Sequence, residues 1–496
     1  MAKSAYKQIK LTKLHPNCQD ESPLNRWLYC LSVVQYNDDL MKKKLTRDKA
    51  RIKNLEEDAR RYIWHPFTQM AEWEKEPPLI IERGKGVYLF DVYGKRYLDA
   101  VSSIWVNLHG HRKAAIDRAL KNQIDKIAHS TLLGLTHRPA IRLAKKLVAL
   151  APPGLAKVFF SDNGSTAMEV ALKIAFQYWD HRGKTGKTKF LSLINAYHGD
   201  TVGSVSLGGI ELFHGLYSPL LFPTYKVGAP YCYRCFLNKT HPECRLACTD
   251  EVEKVLSQHH DEIPAVVVEP MIQGAAGMVT WPPGYLRKIR DLCTRYDVLL
   301  IADEVFTGFG RTGTMFACEH EGVTPDLMAV AKGLTGGYMP LAATLVTQEI
   351  YDAFLGEYRE FKTFFHGHSY TGNQLGCAAA LTSLGVFEKE RVLSRLQSKI
   401  SALTEELKPL RGHPHVGEIR QIGLVAAVEL VKNRTTKEPY LLEERRGHRV
   451  AREALKRGMI IRPLGNVVPL LPPLSVTIPQ LRKMTSILKE SIQAAT

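Results

Sequence analysis

Short, mainly apolar runs recur through the middle of the chain, separated by longer stretches with helical periodicity. The runs are residues 157–160, 190–194, 265–269, 298–302 and 341–346. Strands that are apolar along their whole length are typical of mostly parallel sheets with helices on both faces. The sequence therefore predicts an α/β fold whose large domain is built on a central, mostly parallel sheet.

The pattern changes along the chain, and 496 residues are too many for one simple core. The predicted parts are a disordered or mis-assigned N-terminal extension (1–58), a segment that joins the small domain (59–110), a large domain (111–384) and a smaller α+β C-terminal domain (385–496). A charged helix is predicted at 41–61, and antiparallel strands at 82–91 and 94–99.

Composition excludes several classes of protein. The chain is 45% hydrophobic and 24% charged, as in ordinary globular proteins, and it has no apolar run of about 20 residues that would cross a membrane. Its start lacks the apolar core of a signal peptide, so we expect a cytoplasmic protein. The net charge of +17 is spread thinly and accompanies no recognisable nucleic acid motif, so no nucleic acid partner is predicted.

Four of the nine cysteines are clustered, as Cys232-x2-Cys235 and Cys244-x3-Cys248. This spacing is compatible with a zinc or iron–sulfur site. The alternative is a loop of reduced thiols in a chain without a leader. We predict no metal, because the chemistry indicated elsewhere in the sequence requires none, and the spacing leaves the metal alternative open.

An aspartate and a lysine dominate the chemical pattern. Asp303 ends the apolar run at 298–302, and Lys332 is followed by Gly333 and by two further glycines. A pyridoxal phosphate enzyme needs a lysine to hold the aldehyde of the cofactor and an acid to keep its ring nitrogen protonated. Each residue alone is more often structural, and their joint occurrence with the motifs below favours catalysis.

Further candidate residues follow predicted strands or stand in loops. Gly164 and Ser165 open a helix after a strand, where backbone N–H groups and a hydroxyl suit a phosphate. Tyr197 ends another strand and could stack on a flat ring. The loop with His368 and Ser369 could reach a phosphate, and Arg462 could bind a carboxylate.

Together these motifs resemble those of class III, fold-type I pyridoxal phosphate aminotransferases. The stretches 64–70, 102–105, 197–200 and 461–463 are similar to the biotin-pathway branch, which converts 8-amino-7-oxononanoate to 7,8-diaminononanoate. The resemblance covers roughly residues 62–490. It implies a homodimer with active sites at the subunit interface, and 111–384 as the domain that binds pyridoxal 5′-phosphate.

The resemblance also implies roles for individual residues. They are Lys332 as the Schiff-base lysine, Asp303 at the ring nitrogen, Tyr197 stacked on the ring and touching substrate, Gly164 and Ser165 at the phosphate, His368 and Ser369 at the phosphate of the other subunit, and Phe67, Ile104, Trp105, Gly367 and Arg462 at the substrate. Arg462 would bind the substrate carboxylate.

Three departures bear on the amino donor. Members that use S-adenosylmethionine have Tyr at the position of Phe67, Trp at that of Ile104, and Pro-Thr at His368 and Ser369. The residues present here are similar to the Bacillus-type branch, for which lysine is the implied donor. We therefore predict L-lysine, with S-adenosyl-L-methionine as the alternative.

Two other functions remain open from sequence. Another class III ω-aminotransferase, acting on 4-aminobutyrate or ornithine, would share the cofactor residues. A non-catalytic function, the binding of nucleic acid or of a metal, would explain the positive net charge and the clustered cysteines.

Overall fold

A computed structural model describes residues 50–496 as two compact units. The first unit comprises the described residues up to Glu82 together with Asp91–Tyr93, and the second comprises Arg83–Phe90 and Gly94–Thr496. Residues 50–62 are helical, which confirms the predicted charged helix over its described part. The remainder of the predicted extension, 1–49, lies outside the described residues, and the predicted domain boundaries stay predictions.

The described part of the chain contains fifteen α-helices and seventeen strands. The helices are α1 (50–62), α2 (Met70–Trp73), α3 (Ser102–Trp105), α4 (Ala114–Ile124), α5 (Arg138–Leu150), α6 (Gly164–His181), α7 (Val202–Leu207), α8 (Glu211–His214), α9 (Thr249–His259), α10 (Tyr285–Arg295), α11 (Gln348–Asp352), α12 (Gln374–Lys389), α13 (Val392–Leu407), α14 (Arg446–Lys456) and α15 (Ile478–Ala495). The strands are β1 (Ile81–Lys85), β2 (Tyr88–Asp91), β3 (Arg96–Asp99), β4 (Leu155–Ser161), β5 (Leu191–Leu193), β6 (Tyr225–Val227), β7 (Ala265–Val268), β8 (Ile272–Gln273), β9 (Val279–Thr280), β10 (Leu299–Asp303), β11 (Leu327–Val330), β12 (Ala342–Thr347), β13 (Val416–Ile422), β14 (Val425–Asn433), β15 (Glu438–Pro439), β16 (Met459–Ile460) and β17 (Val467–Leu470).

A seven-stranded sheet forms the centre of the second unit, in the order β4-β12-β11-β10-β7-β5-β6. Strand β10 pairs in parallel with both β11 and β7, and β5 pairs in parallel with β7 and β6. Only β12 runs the other way, because it is antiparallel to both β11 and β4. The predicted α/β fold with a mostly parallel sheet is confirmed.

Both faces of this sheet are buried, which explains why its strands are apolar throughout. In β10, Leu299 and Ile301 pack with α6 on one face, while Leu300 and Ala302 pack with α10 on the other. Strand β7 alternates in the same way. Full burial of a leucine, isoleucine or valine side chain contributes roughly 1.5–3 kcal/mol to stability. The two layers of helices therefore hold the strand ends, and the side chains that follow them, in fixed positions.

Smaller sheets flank this centre. Strand β14 pairs with β13, β15 and β17, and α14 and α13 each pack against α15. Strands β2 and β3 form the predicted antiparallel pair, and β16 joins β3 in parallel. The β3–β16 pairing places residues 459–460 beside residues 98–99 although they are far apart in sequence. No helix within residues 50–496 is long and apolar enough to span a bilayer.

Candidate active site

A cavity of about 690 Å³ opens at the carboxyl ends of the parallel strands. This is the edge at which ligands bind in open α/β sheets, because the loops that follow several strands meet there. The wall includes Trp105, Asp162, Asn163, Gly164, Ser165, Tyr197, His198, Asp200, Thr201, Glu269, Asp303, Phe306, Lys332 and Thr335. Six of the predicted site residues are in this list: Gly164, Ser165, Tyr197, Asp303, Lys332 and Trp105.

Lys332 follows β11 and begins a short 3₁₀ helix, Lys332–Thr335. Its φ of 35° lies in the left-handed region, which costs a non-glycine residue conformational energy. Its Nζ lies 5.2 Å from the ring centroid of Trp105 and 5.9 Å from that of Phe306. Burial lowers the pKa of Lys332, and the charges of Asp303, Glu269 and Asp200 oppose that shift. A lysine held in this way loses its proton more readily than an exposed one.

Asp303 is the last residue of β10 and is 5% exposed. Its Oδ1 accepts from the backbone N of Val305 at 3.0 Å, and its Oδ2 lies 2.7 Å from Nδ1 of the buried His198. The other ring nitrogen of His198, Nε2, is buried without a hydrogen bond partner. These two contacts fix the orientation of the Asp303 carboxylate at the cavity wall.

Glu269 follows β7 and is a second acid in the wall. Its two carboxyl oxygens accept from the backbone N of Tyr197 at 3.1 Å and of Gly274 at 2.9 Å. Burial raises the pKa of Glu269 to about 7, with Asp303 adding to the shift and His198 opposing it. The sequence pattern predicts Glu269 only as the last residue of a strand. A strand-end acid after a buried run, the signal that identified Asp303, could have found it.

The raised pKa of Glu269 predicts a dependence of stability on pH. Because its folded pKa of about 7 lies above the ordinary 4.5, the folded protein holds this proton more tightly than the unfolded chain. This contribution is present below pH 4.5 and is lost as the pH rises to about 7, by roughly 3 kcal/mol at 1.36 kcal/mol per unit. Urea unfolding of the cofactor-free protein at several pH values should show a smaller loss in Glu269→Gln. Exposed Glu211→Gln is the control, and equal losses in both variants would contradict the prediction.

Gly164 and Ser165 open α6, whose first turn is capped by the Asn163 side chain. A Cβ added to Gly164 would lie 2.5 Å from Cγ1 of Val305, so only glycine allows the start of the helix to approach the loop after β10. The N-terminus of a helix favours an anion through its free N–H groups and its dipole. The geometry therefore suits the phosphate predicted there.

Tyr197 follows β5 and lines the cavity. Its hydroxyl donates to Asp200 Oδ2 at 2.8 Å, and its ring is stacked on that of His214 with 6.1 Å between centroids. Burial raises the pKa of Tyr197, and the positive charge of Arg462 opposes the shift. Arg462 itself is exposed just after β16 and is not part of the cavity wall.

The remaining predicted residues are not among those of the cavity wall. Ile104 is 41% exposed within the run Ser102–Trp105, whose four residues all have positive φ. Phe67 belongs to the first unit, where it also has positive φ. Gly367, His368 and Ser369 lie in a largely exposed loop, and Nε2 of His368 is 4.0 Å from Oδ1 of Asp162. The roles predicted for these residues stay predictions.

The clustered cysteines are free thiols. Cys232 is exposed, Cys235 and Cys244 are half-buried, and Cys248 is buried. Within residues 50–496, no group of three or more His, Cys, Asp or Glu side chains is arranged to hold a metal ion.

Comparison with known proteins decides the family. The family model described as aminotransferase class-III matches residues 69–492. The chain belongs to the class III aminotransferases. A Geobacter sulfurreducens relative named adenosylmethionine-8-amino-7-oxononanoate aminotransferase is 56% identical over 438 residues, covering 88% of this chain and 97% of the relative. A Methanocaldococcus jannaschii relative of the same name is 49% identical over 452 residues.

Solved structures agree with this assignment. The crystal structure of the M. jannaschii aminotransferase has a TM-score of 0.85 and 48% identity, covering 89% of this chain and 99% of that one. An ω-transaminase from Pseudomonas jessenii in complex with PMP has a TM-score of 0.85 and 34% identity over 89% of this chain and 99% of its own. The predicted fold-type I architecture is thus confirmed, as is the prediction of an aminotransferase.

Class III aminotransferases use pyridoxal phosphate, and the site fits this cofactor. A buried lysine, a fixed strand-end carboxylate and an anion cradle closed by Gly164 border one cavity. The cavity also has the size of a site for a small molecule. Lys332, Asp303, Gly164 and Ser165 are the residues that would hold the cofactor.

Proposed function

We propose that this protein transfers an amino group to 8-amino-7-oxononanoate and forms 7,8-diaminononanoate. The main support is the 56% identity over nearly the whole length of a relative whose name is that of an 8-amino-7-oxononanoate aminotransferase. The cavity that brings Lys332, Asp303 and Tyr197 together supports the chemistry independently. When bound, pyridoxal phosphate supplies the electron sink that stabilises a carbanion on the amine being exchanged.

The protein's own residues account for the proton and charge movements. Lys332, with its lowered pKa, is the base that would move a proton between the amine carbon and the cofactor, away from the donor carbon in the first half of the cycle and onto the acceptor carbon in the second. Asp303, held by His198 and by the N–H of Val305, presents a negative charge where the ring nitrogen would lie. Tyr197 would cover one face of the ring, and Trp105 and Phe306 form an apolar wall beside Lys332.

Substrate binding is assigned to Arg462 at the carboxylate, with Phe67, Ile104 and Gly367 along the substrate. The positive charge of Arg462 opposes the rise in the pKa of Tyr197, and this electrostatic link to a residue of the cavity wall supports the role. A guanidinium can bind a carboxylate through two parallel hydrogen bonds. Arg462→Lys would keep the charge and remove that geometry, which makes it the informative variant for this contact.

A homodimer is part of the proposal. The loop that carries His368 and Ser369 exposes large aromatic side chains, with Phe365 71% and Tyr370 63% exposed. Exposed aromatic groups beside polar ones are typical of protein interfaces. In a homodimer His368 and Ser369 would reach the phosphate of the partner's cofactor. Sedimentation velocity on wild type and on Phe365→Ser would test the interface.

Mass spectrometry of the products tests the function. The purified protein with bound cofactor is expected to convert 8-amino-7-oxononanoate to 7,8-diaminononanoate when an amino donor is present. The ω-transaminase neighbours, at 34% identity, favour a second candidate, a broader ω-aminotransferase. Amino transfer from 4-aminobutyrate or ornithine, with none to 8-amino-7-oxononanoate, would establish that candidate instead.

For the donor, we predict that lysine transfers its amino group to the bound cofactor faster than S-adenosylmethionine does at equal concentration. An adenosyl group needs an aromatic or apolar slot, and its sulfonium favours a ring face. Ile104 offers no ring. The names of the relatives state adenosylmethionine, which is the opposite expectation. The two rates therefore decide between the donors. Single-turnover absorbance with each donor alone measures both rates, and a faster rate with S-adenosylmethionine would reverse the donor assignment.

A further inference from the structure

Five hydrogen bonds join the first turns of α6 to Thr201, at the end of the loop after β5, and to Ser204 in α7. The backbone N of Thr201 donates to Oγ of Ser165 at 3.0 Å, and the Thr201 hydroxyl donates to Oε1 of Glu169. The backbone N of Ser204 donates to the same carboxylate oxygen at 3.2 Å. The Ser204 hydroxyl donates to the backbone O of Ser165, also at 3.2 Å.

Two glycines, Gly199 and Gly203, allow this segment to approach α6 more closely than a residue with a Cβ could. A Cβ on Gly199 would lie 2.3 Å from Oγ of Ser165, and a Cβ on Gly203 would lie 2.3 Å from Oε2 of Glu169. Gly199 also has a φ of 123°, which side-chain-bearing residues rarely adopt. The hydrogen bonds and the steric contact at these two glycines therefore set the distance between the loop and α6.

The two fastened segments hold opposite ends of the proposed cofactor site. The loop carries Tyr197, assigned to the ring, and His198, which orients Asp303. The helix start carries Gly164 and Ser165, assigned to the phosphate. A ligand with two anchoring groups gains affinity from both only when the two subsites are held at the matching separation.

The direction of the hydroxyl hydrogen bonds adds to this. Thr201 has one hydroxyl proton, and the carboxylate of Glu169 is its strongest acceptor. The 2.8 Å contact between the hydroxyls of Thr201 and Ser165 then takes its proton from Ser165. Ser165, whose Oγ also accepts from the N–H of Thr201, therefore donates its one hydroxyl proton to Thr201, so this contact is a fifth hydrogen bond between the two segments.

We propose that Glu169 and Thr201 are positioning residues, a clasp that sets the separation of the ring and phosphate subsites. The clasp touches the cofactor only through Ser165 and the loop. It rests on the proposed placement of pyridoxal phosphate, and it predicts that the clasp matters for a ligand that occupies both subsites and little for one that occupies the ring subsite alone.

Dissociation constants of pyridoxal phosphate and of pyridoxal, which lacks the phosphate, test the clasp. They are measured by fluorescence titration of the cofactor-stripped full-length protein. Wild type should prefer pyridoxal phosphate, and Thr201→Val and Glu169→Ala should lower that preference by about tenfold. Thr201→Ser and Glu169→Gln keep an oxygen at each position and should restore it. Ser206→Ala removes a buried hydroxyl from α7 whose hydrogen bonds are to Val202 and Phe222, so it should leave the preference unchanged.

The outcomes separate the clasp from the function. An unchanged preference in Thr201→Val and Glu169→Ala, beside a clear preference in wild type, overturns the clasp and leaves the proposed function standing. An equal loss of preference in Ser206→Ala would attribute the effect to lost stability and would also overturn the clasp. Wild type that binds both ligands equally overturns the placement of the phosphate, and the clasp with it.

Discussion

Replacing Lys332 with alanine is expected to abolish amino transfer while the fold persists. Among residues 50–496, Lys332 is the one lysine in the wall of the cavity, so the variant leaves no amine there to hold the aldehyde or to move the proton. Loss of a positioned acid–base group alone lowers rates about 10²–10⁴-fold. We expect turnover to fall by at least about a thousandfold. Steady-state rates measure the loss, and circular dichroism checks the fold.

Lys187 provides the matched control because it is buried and lies outside the cavity wall. Its Nζ donates to the backbone O of His260, Ile263 and Asp297, at 2.7, 2.9 and 2.9 Å. Lys187→Ala should therefore lower the melting temperature and leave the turnover of the folded protein nearly unchanged. Substantial amino transfer by Lys332→Ala, or an equal loss in both variants, would remove Lys332 from the centre of the mechanism.

The sequence predicted the central sheet because burial on both faces leaves a clear pattern. The runs at 265–269 and 298–302 are β7 and β10, displaced by at most one residue at either end. Strand β11 was missed. Three of its four residues, Leu327, Met328 and Ala329, favour a helix, whereas three of the four residues of β7 are valine. These residues form a strand because they pair with β12 on one side and with β10 on the other.

A local change in backbone conformation explains a second difference between the predicted and the observed strands. The strand predicted at 82–91 is two strands, β1 and β2, interrupted at Gly86 and Val87. Gly86 has a φ of 58° and forms an isolated bridge with His111. A glycine within a strand pattern is consistent with such a break. Its bridge partner, His111, lies 111 − 86 = 25 residues further along the chain, so the contact is tertiary and the local pattern does not indicate it.

The candidate site shows the same division. Asp303 and Tyr197 were predicted because each stands at the end of a predicted strand, and such residues meet at one edge of a parallel sheet, whereas Lys332 was predicted from the glycines that follow it. The contacts of Glu169 with Thr201 and Ser204 span 32 and 35 residues. They depend on how α7 packs against α6, which the side-chain pattern of neither helix indicates. Sequence therefore located the main chemical groups and missed the residues that orient them.

Asp303→Asn should retain the cofactor and lose most catalysis, by roughly 10²–10⁴-fold. The amide is close in size to the carboxylate, and its oxygen can still accept from the N–H of Val305. It carries no charge, however, so it cannot keep the ring nitrogen protonated. Its NH₂ group would also face Nδ1 of His198, which would then have to accept rather than donate.

The control for this variant is Asp326, which precedes β11. Oδ2 of Asp326 accepts from the N of Leu300 at 2.6 Å and from Arg290 at 2.7 Å, so its role is structural. Asp326→Asn should cost about 1 kcal/mol of stability and little activity. Cofactor content from absorbance, turnover and urea unfolding, measured on both variants, separate binding, catalysis and stability. Near-normal turnover by Asp303→Asn with bound cofactor would mean that Asp303 only caps its strand, and the electron sink would need another source of charge.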